Sequence, residues 1–150
     1  MTRKKSIGII VLIIAVAVAW YGYKEYTRTP KDLFHAKADF VLSSAQLLHE
    51  YETNDSSANN RYNGKIIEVT GNIKKVEKDE QNFYTIVLGD SLSLNTIRCS
   101  MDTAHQQDAA VLVQGSSATM RGACTGYNKD EMGLGADVIL NRCAVINKKD

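Results

Sequence analysis

Proline is nearly missing from the 150 residues, with Pro30 the single example, and glycine is held to ten. So little of either residue excludes a low-complexity or disordered chain, and an apolar fraction of 44% is that of a folding domain. Charge of one sign is missing too. Eighteen basic residues face seventeen acidic ones, so bulk electrostatics select neither a polyanionic partner nor an acidic solvating tail. The three cysteines form no C-x-x-C pair, and no histidine lies within a strand or turn of any of them, so the spacing offers no zinc site. His35, His49 and His105 meet no carboxylate arrangement that marks a base, and they read as solvated or capping. Nothing resembling G-x-x-x-x-G-K follows a strand, and Gly133-Leu134-Gly135 reads as a flexible hairpin. Asp79-Glu80 and Asp130-Glu131 read as solvated turn carboxylates. No enzyme constellation survives this pass, and no cofactor or metal is implied.

What is present begins with a long apolar run. From Ser6 to Tyr23 no residue is charged, and Ile7 to Trp20 is apolar on every helical face. About 18 residues at roughly 1.5 Å each give roughly 27 Å, the thickness of a bilayer's hydrocarbon. Trp20, Tyr21, Tyr23 and Tyr26 then supply an interfacial aromatic belt, and Arg3, Lys4 and Lys5 hold the N-terminus in the cytoplasm. The expectation is a single-pass signal-anchor with the C-terminal domain periplasmic or extracellular. A cleaved signal peptide is the competing reading, because Ala17-Val18-Ala19 fits an A-x-A site. No cysteine lies in the segment, so the sequence gives no lipoprotein anchor.

The remainder divides by pattern. Residues 1–5 form a basic tail, 6–23 the transmembrane helix and 24–39 a stalk, which Thr29-Pro30 keeps from being helical. Residues 40–63 read as a short helical segment packing on the barrel. Ser43 followed by Gln46 caps a helix ending near Thr53, with Leu47, Leu48 and Tyr51 on one side. From Gly64 to residue 147 the period is two. Strands are expected at Lys65 to Val76, Phe83 to Leu88, Thr96 to Met101, Ala118 to Cys124 and Asp137 to Ile146, with a helix from Thr103 to Val113 after the third. Gly71 marks a bend or bulge in the first strand. The fold class is therefore mainly β, a five-stranded OB-fold barrel with a short helix between strands three and four.

Particular residues carry a further likeness: Leu47-Leu48, Ala58, Tyr62-Asn63-Gly64-Lys65, Val69-Thr70-Gly71, Arg98-Cys99, Arg121-Gly122-Ala123-Cys124-Thr125-Gly126 and Leu140-Asn141-Arg142-Cys143. In these the stretch from Phe40 to Ile146 resembles the tRNA-anti-like family of bacterial OB-fold proteins, found mainly in exported or membrane-tethered form. The resemblance implies the barrel. It brings no established activity and no catalytic residue.

Strand five of such a barrel neighbours strands three and four, so Cys143 can reach Cys99 or Cys124. In an oxidising compartment Cys124 with Cys143 is the expected disulfide, closing a loop of about 20 residues for roughly 3 kcal/mol. OB-folds bind on the face of strands two and three and on the flanking loops, which makes Lys74, Lys75, Phe83, Tyr84, Arg98, Arg121 and Tyr127 the candidate ligand residues. From Asn60 to Asp150 the 11 basic residues are matched by 11 acidic ones, so nucleic acid is the disfavoured ligand. A membrane-anchored binding or interaction module of the cell envelope is the expected role, with an envelope protein, glycan or small molecule as partner. The alternatives are an exported single-strand nucleic-acid binder and an accessory subunit of an envelope complex.

Overall fold

The computed structural model describes residues 13–14, 16–23, 32–130 and 135–146. Two compact units result, Met1–Lys31 and Asp32–Asp150. In the first, residues 13, 14 and 16–23 are helical. Among the described residues no helix is long and apolar enough to cross a membrane. Much of the expected span at 6–23 lies outside the described residues.

The second unit is built on β1 (Phe40–Ser43), α1 (Ser44–Thr53), α2 (Asp55–Tyr62), β2 (Ile66–Lys78), β3 (Tyr84–Leu88) and β4 (Thr96–Met101). A 3-10 turn (Thr103–His105), α3 (Gln106–Ala109), β5 (Ser117–Lys129) and β6 (Ala136–Val145) complete it. The sheet runs β1-β2-β3-β4-β6-β5, and a β2–β5 pairing closes the last five strands into a barrel. That is the OB-fold order, with β4–β6 the parallel pair.

β2 makes the closure possible. Its first half pairs with β5 through Ile66–Asn72, and its second half pairs with β3 from Ile73 to Lys78. A register shift between Ile73 and Lys75 separates the halves. The extra residue there resets the alternation. Ile67, Val69 and Ile73 are inward and fully buried, then Val76 packs on the core while Lys75 and Glu77 turn outward. Gly71 serves a close approach rather than a bend, since a Cβ there would lie 2.4 Å from Ser44 Oγ at the start of α1.

β1 was not expected. Its four residues lie parallel to β2, with Phe40 opposite Ile67 and Ser43 opposite Thr70, filling the edge that β3 leaves open. Ser43 then ends the strand and caps α1, its Oγ accepting from the Gln46 N–H at 3.1 Å. Asn54 does the same for α2, accepting from Ser57 N–H at 3.0 Å. The two helices bury Leu47, Leu48, Tyr51, Ala58 and Tyr62 against the barrel. Tyr62 donates to Glu50 at 2.7 Å, and burial together with that carboxylate pushes its hydroxyl up to about 12.

Two other expectations need correction. The helix expected from Thr103 to Val113 is a 3-10 turn and a single α turn ending at Ala109, after which the chain turns back and Gly115 N–H pairs with Ile73 O. The cysteines are three buried free thiols, so no Cys124–Cys143 bridge exists. β6 places Leu140, not Cys143, opposite Cys124. The Cys124 thiol meets the Tyr51 hydroxyl at 3.5 Å, while Cys143 lies beside Cys99, with burial pushing its thiol far up.

Candidate functional site

The outer face of β2, β3 and β4 forms a shallow cleft of about 550 Å³ that gathers three of the candidate residues, Lys75, Phe83 and Arg98. Each is placed by its neighbours. Asp79 accepts from the N–H groups of Gln81 at 2.9 Å and Phe83 at 2.8 Å, and Asn82 takes a φ of 67°, so the β2–β3 turn is fixed from within. Phe83 stands on that turn 43% exposed. Glu77, which sequence reasoning passed over, lies between the cations. It accepts from Lys75 at 3.0 Å and from Arg98 at 2.5 Å. The Lys75 ammonium, with Arg98 adding to it against partial burial, holds the Glu77 carboxyl below the usual range. The signal was Lys75-x-Glu77, two residues apart on one face of a strand.

The other four candidates lie elsewhere. Lys74 occupies the register shift, lines a different cleft and donates to Ser93 O at 2.5 Å. Tyr84 packs against the core, its N–H donating to Gln106 Oε1 at 2.7 Å. Tyr127 stacks on Tyr51 with ring centroids 4.7 Å apart.

Arg121 is a clamp. Its Nη1 donates to Phe34 O at 2.7 Å and Ala36 O at 2.9 Å, and its Nη2 to Glu68 Oε2 at 2.7 Å. The same segment meets His105, whose Nε2 lies 3.1 Å from Asp32 and whose Nδ1 lies 3.1 Å from Asp108. Phe34 stacks on the His105 ring at 5.3 Å. Burial draws the imidazole's pKa down, but the hydrogen bonds and charges of Asp32 and Asp108 outweigh it and leave the pKa raised. The Asp32 carboxyl is lowered, first by the Phe34 N–H it accepts and then by His105 and His35. Residues 32–36, expected in a stalk, are thus a strap laid on the barrel.

Among the described residues no group of three or more His, Cys, Asp or Glu side chains could hold a metal ion. The described residues of the second unit form a closed β barrel of OB order with a half-exposed ring and charge-paired side chains on its sheet face. The chain belongs to the tRNA_anti-like family, whose pattern matches residues 1–143. Among solved structures, a lipoprotein of Klebsiella pneumoniae for which nucleic-acid binding has been proposed is 21% identical, with a TM-score of 0.57 over 79% of this chain and 100% of that one. That likeness is one of fold. Asparaginyl-tRNA synthetases of Pyrococcus horikoshii and Entamoeba histolytica match 58% of this chain at 17% and 14% identity, with TM-scores of 0.40 and 0.38. The chain spans 21% and 22% of those enzymes. No curated protein matches.

Proposed function

We propose that this chain is a non-enzymatic binding module of the bacterial cell envelope, held at the membrane by its N-terminal apolar segment, N-terminus in the cytoplasm. Its ligand is a segment of an envelope protein, taken on the outer face of β2, β3 and β4. The observation that carries this reading is Glu77, whose carboxylate is shared between Lys75 and Arg98. Two of the face's cations are thereby engaged beside an exposed ring, and with Lys78 and Asp79 the cleft carries three basic and two acidic side chains, a mixture suited to a protein partner, in which aromatic and arginine side chains anchor the contact. The charge count agrees, because after Lys31 the chain carries 12 basic and 16 acidic side chains. The K. pneumoniae lipoprotein of the same fold is itself named for a membrane-attached class, which supports the placement.

A second reading is single-stranded nucleic-acid binding. Phe83, Lys75, Lys78 and Arg98 share one cleft, and the same lipoprotein carries that proposal. One pair of measurements separates the two. A photo-crosslinking side chain at position 83 in intact cells should link to a discrete envelope protein, and oligo(dT) should show no anisotropy change at physiological salt. Micromolar binding of oligo(dT) under those conditions would overturn the first reading in favour of the second.

A further inference from the structure

Two loops at one end of the barrel expose aliphatic side chains that the fold does not use. In the β3–β4 loop, Leu92 is 92% and Leu94 67% exposed; in the loop after α3, Val111 is 78% and Val113 66% exposed. The loops are neighbours. Gly89 N–H donates to Asn72 O and Gly115 N–H to Ile73 O, so both are pinned to consecutive residues of β2. They also face each other across a cleft of about 620 Å³, into which Ser91 and Ser93 project from one and Gln114 from the other. The sequence alternates accordingly: the serines line the cleft while Leu92 and Leu94 stand in solvent. The first loop is not slack. Asp90 accepts from Leu92 N–H at 3.0 Å, Ser93 Oγ accepts from Asn95 N–H at 3.1 Å, and Gly135 lies against Leu94 O. Four aliphatic side chains in contact with water on adjoining loops make an apolar surface of the kind that marks a contact with a partner or a membrane.

We infer that this partner is the lipid bilayer, the two loops inserting their aliphatic tips into the interfacial layer. The inference rests on the membrane attachment proposed above. Eight residues separate Tyr23 from Asp32, a tether that at about 3.5 Å per residue reaches no more than roughly 28 Å. Asp32 is bonded to His105, on the same short helical stretch that leads into Val111 and Val113. The loop residues 89–95 and 110–116 carry one charge between them, Asp90, and no lysine or arginine. Attachment is therefore by apolar insertion rather than by attraction to anionic headgroups, and it is insensitive to their density.

The test uses the full chain in nanodiscs of phosphatidylcholine and phosphatidylethanolamine. The native cysteines are fully buried, so an environment-sensitive fluorophore placed by Leu92→Cys, Val111→Cys or, as a control on the β2–β3 turn, Glu80→Cys labels selectively. With nitroxide-bearing lipids, labels at 92 and 111 should be quenched severalfold more than the label at 80, equally with or without anionic lipid. Adding Leu94→Ser with Val113→Ser should abolish the difference and leave the melting temperature unchanged. Equal quenching at all three sites, in a chain that still co-floats with lipid, overturns the docking and leaves the attachment standing. Failure to co-float overturns both. Quenching that appears only when other membrane proteins are included assigns the loops to a protein partner and overturns the inference.

Discussion

Two arginine–glutamate pairs with nearly the same chemistry do different work in this barrel. Arg121 and Glu68 are direct cross-strand neighbours on β5 and β2, with side chains 17% and 8% exposed. Arg98 and Glu77 reach each other across β3 on the outer face, at 35% and 29% exposed. The first pair is roofed by residues 34–36, whose carbonyls Arg121 also holds, so it is part of the structure. The second pair is open to solvent and can be rearranged at small cost.

The sharpest way to break this comparison is to remove each arginine in turn. Arg121→Met leaves the Glu68 carboxylate buried without its partner and two strap carbonyls without a donor. It should cost about 3 kcal/mol in urea denaturation, and a further Glu68→Gln should recover part of that. Arg98→Met should cost under about 1 kcal/mol. Equal losses would make the outer pair structural too. Next in size is Gly122→Ala, beside Arg121 on β5. The new Cβ would lie 2.4 Å from Cys143 Sγ and 3.1 Å from Asn141 O, where Arg142 holds a φ of 56°. Overpacking of this kind costs about 1–3 kcal/mol, and Cys143→Ala should relieve it.

The barrel was legible because its strands alternate and its turns carry the expected residues. Ser43 declared the start of α1, and Ile67, Val69 and Ile73 declared the inner face of β2. What escaped was set by distance along the chain. Phe40–Ser43 is too short for periodicity to mark, and its pairing with β2 joins residues 27 apart. Arg121 reads as a groove cation until its partners 85 and 87 residues upstream are known. Lys74 and Lys75 are adjacent in sequence yet line different clefts, beside a register shift between Ile73 and Lys75 that the residue types do not mark. Conversely, Lys75, Phe83 and Arg98 needed only the strand order and the β2–β3 turn.

The strap makes the comparison depend on pH. His105 has a raised pKa in the folded state, so its contribution is complete below about 6.5 and is lost as pH rises through the folded value. Asp32 is lowered, so its contribution is present above about 3.9 and is lost as pH falls through its own folded value. The strap should be held best between these limits. Hydrogen exchange at Phe34 and Ala36 should quicken between pH 6 and pH 8.5 by more than the intrinsic rate, and His105→Asn should remove that excess. The absence of any excess in the native protein would show that Arg121 alone holds the segment, and an excess that survives the substitution would show that another group titrates there.

The smallest effect on stability belongs to Glu77→Gln. The side chain is partly exposed and its partners can turn to water, so the change should stay within about 0.5 kcal/mol. Its effect on binding is the informative one, because the substitution releases Lys75 and Arg98 from a shared carboxylate next to Phe83. If the hold of Glu77 on the two cations is what turns polyanions away, oligo(dT) should bind the variant detectably at low salt. Two freed phosphate contacts predict a slope of about −1.4 in log K against log salt. A variant that ignores oligo(dT) even at low salt would mean that the shape of the cleft, not Glu77, excludes the strand. Native protein that already binds as tightly as the variant would mean that Lys75 and Arg98 leave the carboxylate readily, and that this face is open to phosphate after all.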